Sequence, residues 1–151
     1  MPQSRYDDLI ESYAEKYAVS VDLIHAVCYV ESRYNANAVS SQGAIGVMQI
    51  LPETGEWIAS LLDMPDYSTN RLYEPETNIQ LGIFYLSYLF ARFDEEWCVI
   101  AAYNAGEGRV KEWLRDGVEL DTIPFPETKN YVRKVMRAMR LYGNKKVLSF
   151  Y

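Results

Sequence analysis

Residues 79–93 read "IQLGIFYLSYLFARF" and are apolar nearly all the way round. A helix on a protein surface needs one polar face, and this stretch has none. It also falls short of the roughly 20 apolar residues that span a bilayer. The remaining place for it is the centre of a domain, wrapped by other elements. A chain of 151 residues is long enough to build one core of that kind. The rest of the sequence supplies helices to do the wrapping, so an all-α domain is expected.

Tyr6, Leu9, Ile10, Tyr13 and Tyr17 recur at spacings of three and four and mark an amphipathic helix. Ser20 stands where an N-cap belongs, ahead of "VDLIHAVCYVES". A loop of small residues follows, with "VMQI" read as one short helical turn. Pro52 opens "PETGEWIASLL" at the first helical position, and Pro75 starts the central helix, about 76–93. "EEWCVIAAYNAG" is a helix stopped by Gly106, and "GRVKEWLRDG" is a short one between two glycines. "TIPFPETKN" reads as a proline-broken loop, and "YVRKVMRAMRLYG" as a last helix ending at Gly143. Strand signals are weak, and one small hairpin in a loop is the most they support.

The net charge is −6 and no basic block stands out, which argues against a nucleic-acid partner. With one histidine and two distant cysteines, no metal spacing exists. Cys28 and Cys98 lie in apolar runs and read as small buried hydrophobes; a disulfide between them stays open. Thirteen tyrosines outnumber five phenylalanines. Their apolar faces and polar tips suit sugars, but taken alone they are better read as filling a partly wet core. The opening "MPQSRYDDL" is polar and does not read as a secretory signal.

"AVCYVES" raises a sharper question. Ile24, Val27 and Cys28 share a helix face with Glu31, which puts the carboxylate on the core stripe. Glu31 also falls in the last turn, where the helix dipole disfavours negative charge. Desolvation and dipole both push its pKa upward, as a general acid needs near neutral pH. A helix-end glutamate bending out to water competes with that reading. Trp57, Tyr34 and Tyr131 are candidate sugar or peptide platforms, each with an equal claim to simple packing. His25 lies about 120° round the helix from Glu31 and is not expected to be its partner.

Three further blocks follow in order: "ESRYNANAVSSQGAIGVMQILPET", "AAYNAGEGRV" and "PFPETKNYV". Together they resemble the catalytic domain of the lytic transglycosylases, bacterial enzymes that cleave peptidoglycan glycan strands. The likeness is to the soluble, Slt-type branch, which shares a fold with goose-type lysozyme. It covers about residues 6–142, the core of a single domain spanning 1–151.

The resemblance implies a lysozyme-like fold and a role for each matching residue. Glu31 matches the single catalytic acid/base. Ser40 matches a serine that orients the catalytic centre and the sugar's N-acetyl group. Gln49 matches a glutamine beside the cleft, and Tyr103 and Asn104 match a tyrosine contacting the glutamate region and its neighbouring asparagine. Glu127 matches a glutamate in the substrate groove. Val47 stands where the family often has leucine. Lys129 stands where arginine is frequent, which removes a bidentate donor. Most glycosidases use two carboxylates, and no second acid stands at a motif position that clearly supplies a base or nucleophile. The family mechanism accounts for that: Glu31 protonates the leaving oxygen, and the C6 hydroxyl of the muramoyl unit then attacks C1 to leave a 1,6-anhydro end. No cofactor or metal is implied. The implied partner is the peptidoglycan glycan strand, met by a monomer in the periplasm or cell envelope, with no membrane-spanning segment of its own.

Overall fold

A computed structural model describes residues 5–148 as seven α-helices with two short 3₁₀ segments. In chain order the helices are α1 (Asp7–Tyr17), α2 (Val21–Ser32), α3 (Pro52–Leu61), α4 (Pro75–Phe90), α5 (Glu96–Ala105), α6 (Glu107–Arg115) and α7 (Pro126–Leu148). The 3₁₀ segments are Thr69–Tyr73 and Leu120–Thr122.

The apolar helix is α4, and it is central. Ile79, Leu81, Ile83, Leu86 and Leu89 are all fully buried. Helices α1, α3 and α5 pack on it, while α2 and α7 pack on each other and α5 reaches α7. Tyr13 and Tyr17 of α1 fasten to α4 by their polar tips. The Tyr13 hydroxyl donates to Glu76 at 3.1 Å, and Gln80 donates to the Tyr17 hydroxyl at 3.0 Å. Cys28 and Cys98 are both buried and unbonded. Among the described residues no helix is long and apolar enough to cross a membrane.

Helix starts follow the local signals. Ser20 caps α2 by accepting from the Leu23 N–H, and Pro52 and Pro75 each sit in the first turn. Three expectations change. "VMQI" is not helical: residues 46–49 form a turn closed by paired Ile45 and Ile50, whose N–H groups each donate to the other's carbonyl at 3.0 Å. The hairpin reduces to this bridge and a second, Val39 with Ile45, with no named strand among the described residues. Helix α7 begins at Pro126, so "ETKN" is helical, and it runs past Gly143 to Leu148. Pro126 needs no N–H partner at the first position and starts the helix rather than breaking it. At Gly143 a Cβ would come within 3.3 Å of an Asp22 carboxylate oxygen, so the glycine marks a close pass against α2.

Candidate active site

Three helix ends converge on one cleft of about 450 Å³: the C-termini of α2 and α5 and the N-terminus of α7. Glu31 reaches it from α2, Tyr103 and Asn104 from α5, and Glu127 from α7. The loop 38–50 lines another side with Ser40 and Gln49, and Thr54 of α3 and Tyr85 of α4 complete the lining. The six residues to which the resemblance gives roles therefore line the same cleft.

Two polar side chains anchor the loop, Ser32 on α2 and Asn78 on α4. Arg33 and Tyr34 adopt left-handed backbone, φ 52° and 63°, and turn the chain sharply away from the end of α2. Ser32 then donates to the Val47 carbonyl at 2.6 Å. Asn78 on α4 is fully buried and makes three hydrogen bonds, each 2.8 Å long: it accepts from Met48 N–H and donates to the Ile45 and Leu72 carbonyls. Buried loop backbone needs such partners because water cannot reach it. Gly46 lets the loop come this close. Its φ is 84°, and a Cβ would lie 2.6 Å from the Leu72 carbonyl oxygen. The first glycine of "GAIG", Gly43, also has positive φ, but open space surrounds it.

Glu31 is half-buried, and burial raises its pKa to about 7. The Tyr131 hydroxyl donates to its Oε2 at 2.9 Å and partly opposes the shift. Tyr131 and Tyr103 are both held well above the ordinary phenol range, by burial first and the nearby Glu31 second. Both are neutral donors. Tyr103 donates to the Met48 carbonyl at 2.7 Å, so it braces the loop rather than the carboxylate itself.

The other lining residues present defined chemistry. The Ser40 oxygen accepts from the Gln42 and Ala44 N–H groups, at 3.2 and 3.1 Å, which leaves its proton to donate. Gln49, at φ 52°, donates its amide to the Ala38 and Gly46 carbonyls, which leaves its side-chain oxygen as an acceptor. Asn104 accepts from the Thr128 hydroxyl at 2.8 Å and keeps its amide hydrogens for a ligand. Glu127 is exposed at the rim.

Residues 8–125 match the Transglycosylase SLT domain family. The chain belongs to that family. This SLT domain is 37% identical over 140 residues to the soluble lytic murein transglycosylase of Salmonella typhimurium, covering 87% of the chain and 22% of the relative. Two solved structures share its fold. One is the 70-kDa soluble lytic transglycosylase of Escherichia coli (TM-score 0.84, 35% identity, 89% of this chain and 23% of that one). The other is an inactive glutamate-to-glutamine mutant of the lytic transglycosylase Slt of Pseudomonas aeruginosa (TM-score 0.88, 34% identity, 95% and 24%). The chain spans less than a quarter of the length of each of these relatives.

In the SLT domain, two of the aromatic candidates take the packing alternative. Tyr131 is only 7% exposed, so its ring offers no platform; its hydroxyl holds Glu31 instead. Tyr34 lies with its hydroxyl 2.9 Å from His25 Nδ1, and His25 is buried and stacked on Tyr142. Ser32 and Asn78 carried no distinguishing signal in the sequence, although Ser32 is the second letter of "ES".

Proposed function

We propose that this SLT domain cleaves the β-1,4 bond between N-acetylmuramic acid and N-acetylglucosamine in peptidoglycan and leaves a 1,6-anhydromuramoyl end. The observation that carries the proposal is Glu31, a carboxyl with a pKa near 7 at the meeting point of three helix ends. The substrate named for its relatives is murein, and a glutamate-to-glutamine change accompanies inactivity in one of them.

In this reading the protonated Glu31 gives its proton to the leaving glycosidic oxygen as the C1–O bond breaks. The resulting carboxylate takes the proton of the C6 hydroxyl as that oxygen bonds to C1. The proton lost in the first half returns in the second, and no water is consumed. A pKa near 7 serves both halves, because neither protonation state is far from accessible. The intramolecular hydroxyl gains from its high effective concentration. Ser40 donates to the acetamido carbonyl, Tyr131 orients Glu31, and Gln49, Asn104 and Glu127 contact sugar hydroxyls and amides. Tyr103 keeps the loop closed. Such a reaction belongs in the periplasm or cell envelope, where the strands are, and needs one copy of the domain.

The test is mass spectrometry of muropeptides released from purified sacculi. Products one water lighter than hydrolytic ends support the proposal. Reducing ends alone would assign the chain a lysozyme-type hydrolysis and refute the anhydro route.

A further inference from the structure

Trp57 stands outside the cleft on α3, three residues beyond the cleft-lining Thr54 and on the same helix face. It remains 39% exposed although it is one of the largest apolar side chains in the protein. Its neighbours form a continuous aromatic wall that starts inside the cleft. Tyr103 and Tyr85 both line the cleft, with ring centroids 5.3 Å apart. Tyr85 meets Trp57 at 6.1 Å, and Trp57 meets Tyr88 at 4.8 Å, each pair nearly perpendicular. The far side of Tyr88 is closed by the Arg92 guanidinium, 3.5 Å from the ring centre. The indole is therefore held edge-to-face by two tyrosines, while part of its surface stays open to solvent.

We infer that Trp57 is a distal saccharide platform, two ring-to-ring steps from Tyr103, that extends the cleft along the glycan strand. This rests on the cleft being a glycan site, as proposed above. An aromatic face with polar groups at its edge fits a pyranose ring, whose C–H faces are apolar and whose rim is hydroxylated. The local charge favours a neutral sugar over an acidic peptide. Arg92 and Lys111 are both engaged by Glu107, at 3.3 and 2.8 Å. Two exposed carboxylates, Glu53 and Glu56, lie on the same helix, Glu53 one turn before Trp57.

The test uses calorimetric titration of the full chain carrying Glu31→Gln, so that no ligand is turned over. The probes are N-acetylglucosamine oligomers of three and six units. The hexamer should bind more tightly than the trimer, and Trp57→Ala should lower the hexamer-to-trimer affinity ratio about 5-fold, in the range for one aromatic contact. Trp57→Phe, which keeps a ring, should retain part of the ratio. A second readout needs no truncation: the hexamer, and not the trimer, should alter indole emission, and Trp57→Phe should abolish the change. An unchanged ratio with trimer binding intact, or no hexamer-specific emission change, would overturn the Trp57 inference alone. Failure of either oligomer to bind would overturn the glycan reading of the cleft and this inference with it.

Discussion

Glu31→Gln should stabilise the protein at alkaline pH while it removes the proposed acid. The unfolded chain ionises Glu31 at its ordinary value of 4.5, whereas the folded state keeps the proton to about 7. Between those values the folded state binds more protons, so this residue's contribution to stability falls as pH rises. Below 4.5 both states are protonated and no penalty exists. Above 7 the penalty is complete, and the difference of about 2.5 units corresponds to about 3 kcal/mol. Glutamine has the same shape, carries no charge and can still accept from Tyr131. Thermal unfolding followed by circular dichroism at pH 4.5 and pH 8 gives the comparison. At roughly 2–4 °C per kcal/mol for a domain of this size, the variant should melt about 6–12 °C above wild type at pH 8. The two proteins should nearly coincide at pH 4.5. An offset of equal size at both pH values, or a variant less stable at pH 8, would refute the burial argument for the raised pKa. Activity carries the complementary signature: wild-type kcat/KM should fall above pH 7, where the acid form disappears.

Tyr131→Phe removes the hydrogen bond that lowers the Glu31 pKa, so the alkaline limb of the pH–rate profile should move up, with roughly tenfold lower kcat from lost orientation. An unmoved limb would show that the hydroxyl does not act on Glu31. Asn78→Ala takes one hydrogen bond each from two loop groups, the Met48 N–H and the Ile45 carbonyl, and from the Leu72 carbonyl, and should cost about 3–5 kcal/mol in urea unfolding; a loss under about 1 kcal/mol would contradict the anchoring role. Gly46→Ala meets both a positive φ and the Leu72 carbonyl, and should cost about 2–4 kcal/mol, measured the same way.

The helices were legible where a local signal suffices. Ser20, Pro52, Pro75 and Gly106 each act on neighbouring backbone, and the structure places helix starts or stops at all four. The central position of α4 was legible too, because a stretch with no polar face has one stable environment in a protein of this size. "VMQI" was misread as helical because four residues carry no periodicity. Its turn is imposed by Asn78, about thirty residues away, and by the Ile45–Ile50 bridge. Gly143 carried a stop signal that packing overrode: glycine costs a helix only about 1 kcal/mol, and α7 is held by its contacts with α2 and α5.

At the cleft, the sequence alone made Glu31 an anomaly on an apolar stripe, and the distant blocks gave it company by resemblance. Chain order could not say which tyrosine reaches the carboxylate. Tyr103, matched to a tyrosine of the glutamate region, donates to the Met48 carbonyl, and Tyr131, 100 residues from Glu31, makes the bond to the carboxylate. Nor could it assign Ser32 and Asn78 their tasks, since a buried hydrogen bond depends on which backbone groups the fold leaves unpaired. The sequence by itself determined the helical architecture and the carboxylate worth watching, because periodicity, caps and burial of apolar faces act within a few residues. Tertiary structure decided the carboxylate's environment: desolvation and a partner hydroxyl come from α2 and α7 packing together, and no single segment contains that information.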